Sequence, residues 1–495
     1  MATSIPENRA TFTVAEIAEA TGGEILREGG RSVGVSTDTR ALRDGMAFVA
    51  LRGERFDAHG FLDEAVRRGA STLVVSKREG LPDDVGAVLV PDTRKALGAL
   101  ARAHRLAWAA QPHPSGGRAL VAVTGSAGKT TTRKTITALL ESVAPGEVHA
   151  SLGNLNNEIG VPMTLLGLEP KHRFAVIEMG TSGPGEIAHL AEIAHPDAGV
   201  VTLVAPAHTA GLGTVDDVAF EKGSLFAALR EGGIAIANAD DERVLGQLRR
   251  TQARHILSYG FNPQATYRIV ERRPLGFAGS FLRIERPERV PGGTRRGVVE
   301  ITSPLLGDAG AMAVAAALAV AETLTALTMP GERATAALAS LAQVADGRLT
   351  VREIGDGTIV IDDSYNANPA SMRSSIATAA ELARSENRRL VLVLGEMREL
   401  GDAAASEHDA IGDLAGKSGA AWVLGVSGEA ARCAARARAH GIRAEFVPDA
   451  PSASAFAVAN VRPGDLVLVK GSRGVRLEDV VRALEERASQ KGGAP

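Results

Sequence analysis

One cysteine, Cys433, stands in 495 residues. A single thiol excludes an internal disulfide framework and the paired spacings of a zinc cluster. It suits a reducing compartment, and Cys433 itself is expected as a small core residue. An excess of charge is also missing: 55 lysines and arginines face 58 aspartates and glutamates, a formal net charge of −3. Without a global basic field, neither nucleic acid nor an anionic membrane surface is an expected partner. The N-terminus lacks a basic stretch followed by an apolar one, so no secretory signal is expected. The most apolar stretch, residues 311–320, is alanine-rich and closes at Glu322. It is too short to cross a bilayer and is expected as a buried helix. These absences describe a cytoplasmic, soluble protein with no membrane insertion.

What is present is a glycine loop. Residues 124–132 read Thr-Gly-Ser-Ala-Gly-Lys-Thr-Thr-Thr, after the apolar run Leu120-Val121-Ala122-Val123 and before a helical stretch at 133–143. Strand, glycine loop, Lys-Thr and helix form the layout of a phosphate-binding loop. Gly125, Ser126, Ala127 and Gly128 can turn backbone N–H groups toward phosphate oxygens, and the helix N-terminus adds partial positive charge. Lys129 and Thr131 then face the phosphates, and the Thr130 hydroxyl can ligate Mg²⁺. The loop has two residues, not four, between Gly125 and Gly-Lys.

Hydrophobic residues make up 45% of the chain, and its length suggests about three domains. In the first zone, strands are expected at 33–39, 47–51 and 71–76 and a helix at 61–68, before a linker dense in turn formers at 111–117. In the second, strands at 174–178, 199–204 and 233–237 alternate with helices, the pattern of a mostly parallel sheet; 265–303 looks like successive antiparallel strands. The third, from Asp346, alternates strands at 358–361, 390–394, 422–424 and 466–469 with helices, and its tail after Arg487 is expected to fray. The expected fold is α/β in three domains. A small α/β domain at 1–112 precedes a central ATPase-type domain at 113–342, and a Rossmann-like open sheet follows at 343–495.

Ligands of open α/β sheets collect beyond the carboxyl ends of the strands. Lys129, Glu178, His208, Asp363, Glu396 and Lys470 all stand at such ends. Glu178 offers hard oxygens for Mg²⁺; the plainer alternative is a turn glutamate, and the neighbouring loop favours the metal. His208 shares that crevice, although a lone loop histidine is usually just solvated. Lys222 reads by default as a surface helix lysine. The run Gly153-Asn-Leu-Asn-Asn-Glu-Ile-Gly-Val-Pro162 places Asn154, Asn156 and Asn157 together, either for a polar substrate or as a turn cluster. Asp363, in Asp362-Asp-Ser-Tyr-Asn-Ala-Asn-Pro369, suits a ribose, with Asn366 beside it. Lys470-Gly-Ser-Arg473 offers two cations to a carboxylate or phosphate, and Arg348 at the domain junction can reach phosphates.

Together these motifs resemble the Mur ligases, the ATP-dependent amide-forming enzymes of peptidoglycan synthesis. The short Thr-Gly-x-x-Gly-Lys-Thr loop, the asparagine run, Asp-Ser-Tyr-Asn-Ala-Asn-Pro, Leu-Gly-Glu-Met-x-Glu-Leu-Gly at 394–401 and Lys-Gly-Ser-Arg carry the likeness, which runs from about residue 33 to 484. They resemble most the branch that joins D-alanyl-D-alanine to a UDP-N-acetylmuramoyl-tripeptide. The resemblance implies a UDP site in the first domain at Ser36, Thr37, Arg40 and His59, although Ala58 stands where the family usually has glycine. It implies ATP in the central domain, and a ribose contact from Asp363 and the dipeptide in the third. It implies two Mg²⁺ sites, the second held by Glu178, His208 and a carbamylated Lys222. Substrate positions at Asn154, Asn156, Asn157, Lys470, Ser472 and Arg473 follow from the same motifs, and a monomer is expected.

One departure stands out. The family usually carries Gly-x-His-Asn-x-x-Asn at the start of the alanine-rich helix; here Ala309, Gly310 and Ala313 replace the histidine and both asparagines. Either ATP is held by other contacts, or its affinity is reduced, or activity is lost; the last is the alternative of a nucleotide-binding homologue without ligase turnover, and a related Mur or folylpolyglutamate-type ligase with another amine is a separate alternative.

Overall fold

The computed structural model describes residues 6–53, 56–290, 293–343 and 347–492. Their α/β architecture is built on three principal sheets. The first orders its strands Glu24–Arg27, Gly86–Leu89, Thr72–Val75, Ala47–Val49, Val35–Ser36, all parallel except the first. The strand expected at 33–39 is divided. Gly34 takes φ 95° and separates Ser32–Val33, paired with Thr11–Phe12, from Val35–Ser36. Asp38 then caps a short 3-10 turn at Thr39–Ala41, which ends the extended run. The expected helix at 61–68 is Leu62–Arg67, entered through a 3-10 turn at Ala58–Phe61.

Helix Thr93–Ala110 leads into the central domain and is fastened to it. The Trp108 indole donates to the His172 carbonyl at 3.0 Å, and buried Arg105 donates to the Ala194 carbonyl and to Asp197. The central sheet has nine strands among the described residues: Gly293–Ser303, Ser280–Val290, Tyr267–Pro274, His255–Gly260, Ile234–Asn238, Ala198–Val201, Ala119–Thr124, Phe174–Glu178 and Val148–Ala150 in spatial order. The three strands at the hairpin end behave as the sequence suggests, with Tyr267–Pro274, Ser280–Val290 and Gly293–Ser303 antiparallel each to the next. Ala119–Thr124 lies further in, between Ala198–Val201 and Phe174–Glu178. Chain order reverses across it, so its carboxyl end is the sheet's switch point.

Both faces of this strand are buried, which is why it reads as an unbroken apolar run. Leu120 and Ala122 join a core with helices Gly160–Leu166, Glu186–Ala194 and Val215–Ala227; Val121 and Val123 join the other with Lys129–Val143 and the alanine-rich helix. That last helix is longer than expected. It runs Gly307–Thr325, long and apolar enough to cross a membrane by length and composition. Length therefore does not decide its fate; 72% of its apolar window is buried, packed on Lys129–Val143 and the central strands.

The third sheet orders Thr350–Ile354, Thr358–Asp363, Leu466–Lys470, Leu390–Gly395, Trp422–Val426 and Arg443–Val447, all parallel except the first. The expected start of this zone at Asp346 lies outside the described residues. The tail expected to fray after Arg487 continues instead as helix Glu478–Gly492, with Val480, Val481, Leu484 and Ala488 buried; residues 493–495 lie outside the described residues. Cys433 is a core residue as expected. It is 1% exposed, its Sγ donates to the His408 carbonyl, and burial pushes its thiol up to about 12.

Candidate active site

The loop after Ala119–Thr124 is stitched to the next strand. Ser126 N–H donates to the Leu203 carbonyl at 2.8 Å, its hydroxyl donates to the Ala205 carbonyl, and the Thr202 hydroxyl donates to the Ala127 carbonyl. Gly125 is obligatory here: its φ is 147°, and a Cβ would sit 1.9 Å from Thr202 Oγ1. Gly128, at φ 81°, turns the chain into helix Lys129–Val143. Half-buried Lys129 folds back to donate to the Gly125 carbonyl at 2.7 Å. Burial lowers its pKa, and Glu178 opposes that shift.

Glu178 ends its strand as expected and is 2% exposed. Its Oε2 accepts from the Thr130 hydroxyl at 2.8 Å and from Arg133, and its Oε1 accepts from Asn156 at 2.9 Å. Burial alone would raise its pKa, but Lys129, Arg133, Arg348 and Asn156 outweigh that, so the carboxylate is held below its usual range. Thr130 and Glu178 thus put a hydroxyl and an anionic oxygen side by side at the mouth of the loop.

His208 follows on the adjacent strand-end loop at φ 57°, its Nδ1 2.5 Å from Glu399 of the third domain. Burial lowers its pKa, opposed by Glu399 and reinforced by Lys129 and Lys222. Lys222 is not the surface lysine its helix position suggests. It is 1% exposed, and burial, then Lys129, drives its pKa well down, with Glu221 and Glu186 opposing.

A cleft of about 930 Å³ joins the phosphate loop, Glu178 and His208 to the third domain, and Lys222 is not among the residues that line it. Lys129, Glu178, His208, Asn154, Asn156 and Asn157 line its central-domain wall, and Asp363, Asn366, Glu399 and Lys470 line the opposite one. Arg348 stands at the junction over the Tyr365 ring, at 4.1 Å, with Arg473 at 5.0 Å from the same ring. Beside the loop lies a smaller cavity of about 220 Å³, lined by Gly128, Thr131, Phe277, Leu305, Ala309 and Thr350 among others. The Thr350 hydroxyl is buried there with no hydrogen-bond partner among the described residues.

Some of the named residues serve the fold first. Asn157 Oδ1 accepts from the Gly160 amide at the start of helix Gly160–Leu166, a turn role, whereas Asn156 reaches Glu178. The two cations of Lys-Gly-Ser-Arg are not both free for a ligand: buried Lys470 donates to Asp363 at 2.6 Å and to the Asn366 carbonyl. Asp363 also accepts from Ser375 and the Leu349 amide. The Ser472 hydroxyl accepts from the Arg398 amide. Glu396 turns away from the cleft toward Arg398 and the Glu429 amide. Ser36, Thr37, Arg40 and His59 lie outside the cleft, on and beside the first sheet. Ser36 ends Val35–Ser36, and His59 Nε2 accepts from Ser76 just past Thr72–Val75. Arg40 pairs with Asp38, and Asp57 holds the other nitrogen of His59.

The missing His-Asn pattern has a steric counterpart. A Cβ at Gly310 would lie 2.7 Å from Leu305 Cβ and 2.9 Å from its carbonyl carbon, so the Leu305 segment fills the space an asparagine would need. Sequence reasoning also missed Asn368, whose Nδ2 donates to the Ser126 carbonyl at 2.8 Å, and Glu399. Both stood inside quoted motifs, but their partners lie on another domain.

Two family models match: the Mur ligase middle domain over residues 123–321 and the Mur ligase glutamate ligase domain over 347–473. The chain is 35% identical over 484 residues to the UDP-N-acetylmuramoyl-tripeptide–D-alanyl-D-alanine ligase of Escherichia coli (strain K12), covering 97% of this chain and 99% of that enzyme. A crystal structure of MurF from Acinetobacter baumannii superposes with a TM-score of 0.82 at 28% identity, covering 96% of this chain and 99% of that one. MurF ligase from Thermotoga maritima, solved in complex with ADP, gives 0.76 at 28% identity, covering 92% and 98%. A phosphate loop at the switch point of the central sheet, a buried threonine–glutamate pair beside it and a third domain closing over both stand in a chain that matches these relatives along nearly its full length and belongs to the Mur ligase family.

Proposed function

We propose that the chain is an ATP-dependent ligase joining D-alanyl-D-alanine to UDP-N-acetylmuramoyl-tripeptide through an acyl phosphate. One observation carries the reading: the phosphate loop, Glu178 and the Asp363–Asn366 segment share a single cleft. The terminal carboxylate of the tripeptide attacks the γ-phosphate of ATP, and the dipeptide amine then displaces phosphate from the acyl phosphate. Two anions must meet in the first step. Lys129 and the loop amides other than that of Ser126, which the Leu203 carbonyl holds, offset that repulsion and stabilise the charge on the moving phosphoryl group. Closure of the cleft around bound substrates would keep water from the acyl phosphate.

The residues present fit Mg²⁺. Thr130 and Glu178 are adjacent hard-oxygen donors, and burial lowers the His208 pKa, which favours the neutral imidazole that can ligate. Among the described residues, no three His, Cys, Asp or Glu form a metal-binding group; Thr130, Glu178 and His208, with Lys222 once carbamylated, would hold the ions together with substrate oxygens. A neutral amine is the form that adds carbon dioxide, and burial pushes Lys222 in that direction. When bound, Mg²⁺ supplies charge neutralisation at the phosphates. The small cavity beside the loop suits the base end of ATP, with the unpartnered Thr350 hydroxyl ready for a hydrogen bond. ATP is then held without the usual His-Asn pattern.

The UDP end occupies the first domain near Ser36, Thr37, Arg40 and His59. Arg348, Asp363 and Asn366 contact the nucleotide, and Arg473 and the Lys470–Ser472 turn shape the dipeptide site. The three separate sheets support domain limits at 1–112, 113–342 and 343–495. The enzyme acts as a cytoplasmic monomer. A coupled phosphate-release assay with UDP-muramoyl tripeptide, ATP, Mg²⁺ and D-alanyl-D-alanine tests the reading. Turnover is expected with the dipeptide and not with diaminopimelate, lysine or glutamate. The departure at Ala309, Gly310 and Ala313 favours the rival, a nucleotide binder without turnover, if ATP binds and no amide forms.

A further inference from the structure

Glu399 takes no part in the phosphate loop, yet it reaches into the cleft from the third domain. It ends the run Glu396-Met-Arg-Glu399 and takes φ 65°; His208, facing it from the central domain, takes φ 57°. Neither is glycine, and left-handed backbone at such residues persists only where surrounding contacts hold it. Those contacts cross the domain boundary. His208 Nδ1 and Glu399 Oε2 are 2.5 Å apart, the Thr209 hydroxyl donates to the Leu400 carbonyl at 2.8 Å, and the Ala210 amide donates to the Glu399 carbonyl at 3.2 Å. Gly401 adds van der Waals contact: a Cβ on it would lie 3.4 Å from Ala210 Cα. The two strained turns therefore form one seam, and both side chains line the cleft.

A carboxylate only accepts, so this contact assigns the ring proton to Nδ1 and leaves the lone pair on Nε2. We propose that Glu399 is a positioning residue for His208: it fixes the tautomer and ring orientation that make Nε2 a ligand, and it does so only while the third domain is docked. The inference rests on the metal-ligand reading of His208 under the proposed function. Docking then completes the ligand set, so that the cleft binds its metal fully only when the two domains meet. Carboxylates that orient ligating histidines typically change metal affinity by about 10- to 100-fold when removed.

The test uses the full chain with Mn²⁺ and a non-hydrolysable ATP analogue, read by electron paramagnetic resonance. This readout needs no turnover. Wild type is expected to show imidazole nitrogen coupled to Mn²⁺. Glu399→Ala should lose that signal and bind Mn²⁺ about 10-fold more weakly. Glu399→Gln, whose amide oxygen still accepts from Nδ1–H, should keep the signal with affinity within about 3-fold of wild type. The Glu399 side chain is 62% exposed, so both variants should fold. Thr209→Val removes a seam contact without touching the imidazole, and it should retain the nitrogen signal once the analogue is saturating. The proposal is overturned if Glu399→Ala keeps the signal and the affinity, if Glu399→Gln loses as much as Glu399→Ala, or if wild type shows no nitrogen coupling. Nitrogen coupling lost in Glu399→Ala, in a protein that makes no amide product, would sink the proposed ligase reaction and leave the positioning role standing.

Discussion

Asn368 donates its side-chain N–H to the carbonyl of Ser126 at 2.8 Å, tying the first residues of a helix in the third domain to the phosphate loop of the second. The same side chain caps helix Pro369–Ser385, its Oδ1 accepting from the Ser371 amide at 2.9 Å. The two roles separate by substitution. Asn368→Ser keeps a capping oxygen and loses the bridge; Asn368→Ala loses both. Asn368→Ser is expected to melt near wild type and to bind ATP several-fold more weakly by calorimetry, whereas Asn368→Ala should also lose about 1 kcal/mol of stability. Equal ATP affinity in wild type and Asn368→Ser would mean that the bridge does not shape the loop.

Gly125 makes a sharper demand. Its φ of 147°, and the 1.9 Å that would separate an added Cβ from Thr202 Oγ1, leave no room for alanine. Gly125→Ala must either push Thr202 away, breaking its hydrogen bonds to the Thr124 and Ala127 carbonyls, or unfold the loop. The expected cost is about 2 kcal/mol or more in stability, with ATP binding lost. Gly146→Ala is the control for chain-wide effects of the extra methyl: its φ is 74°, so it is strained, but nothing lies within 4 Å of its Cβ. It should melt lower than wild type and still bind ATP.

The acid limb of stability has a specific source at the seam below helix Thr93–Ala110. The rings of His172 and His149 stand 4.9 Å apart, and burial, then His149, hold His172 down to about 4; Lys171 and Arg118 add to this and Glu169 opposes it. A histidine whose pKa is lower folded than unfolded favours the neutral form in the fold. Its contribution is complete above its ordinary 6.5 and is lost as pH falls toward 4. His172→Asn retains an acceptor for the Glu169 amide, which Nδ1 now accepts at 2.9 Å, and removes the titration. The melting temperature of wild type should fall more steeply than that of the variant across this range. Some slope should remain, because burial also lowers His149 and His104. Parallel curves would assign the acid loss elsewhere.

What the sequence made legible was what is local. Lys129, Thr130 and the loop glycines are consecutive, and strand Phe174–Glu178 is a buried apolar run with its one carboxylate at the end, so their place could be read directly. Strands Thr350–Ile354 and Arg443–Val447 escaped because edge strands are only partly buried and carry polar residues that mask their period. The same limit hid the pairings. His208 and Glu399 lie 191 residues apart, and Asp363 and Lys470 are 107 apart. Each reads alone as a group open to a ligand, and only the sheet order shows that Lys470 spends its charge on Asp363. Taken from its helix position alone, Lys222 reads as a surface lysine for a related reason: Glu186 and Lys129, whose charges act on it, come from other helices.

That burial of Lys222 leads to the last prediction. At 1% exposure and with Lys129 adding to the cost, an ammonium there is disfavoured, and its pKa is pushed well below the usual lysine range, toward the neutral amine. A neutral amine adds carbon dioxide and releases a proton, giving a carbamate whose negative charge suits Lys129 and a nearby metal. Enzyme prepared and assayed in buffer stripped of carbon dioxide should therefore lose most of its turnover, and bicarbonate should restore it. Carbon-13 bicarbonate should give one carbamate resonance that Lys222→Met lacks. Lys222→Met keeps the apolar stem and should fold, with turnover down by about 10²-fold or more, the scale of losing one group that stabilises charge in the transition state. Full turnover without carbon dioxide, together with no carbamate resonance, would mean that Lys222 serves as a buried neutral amine and that Glu178 and His208 hold the metal without it.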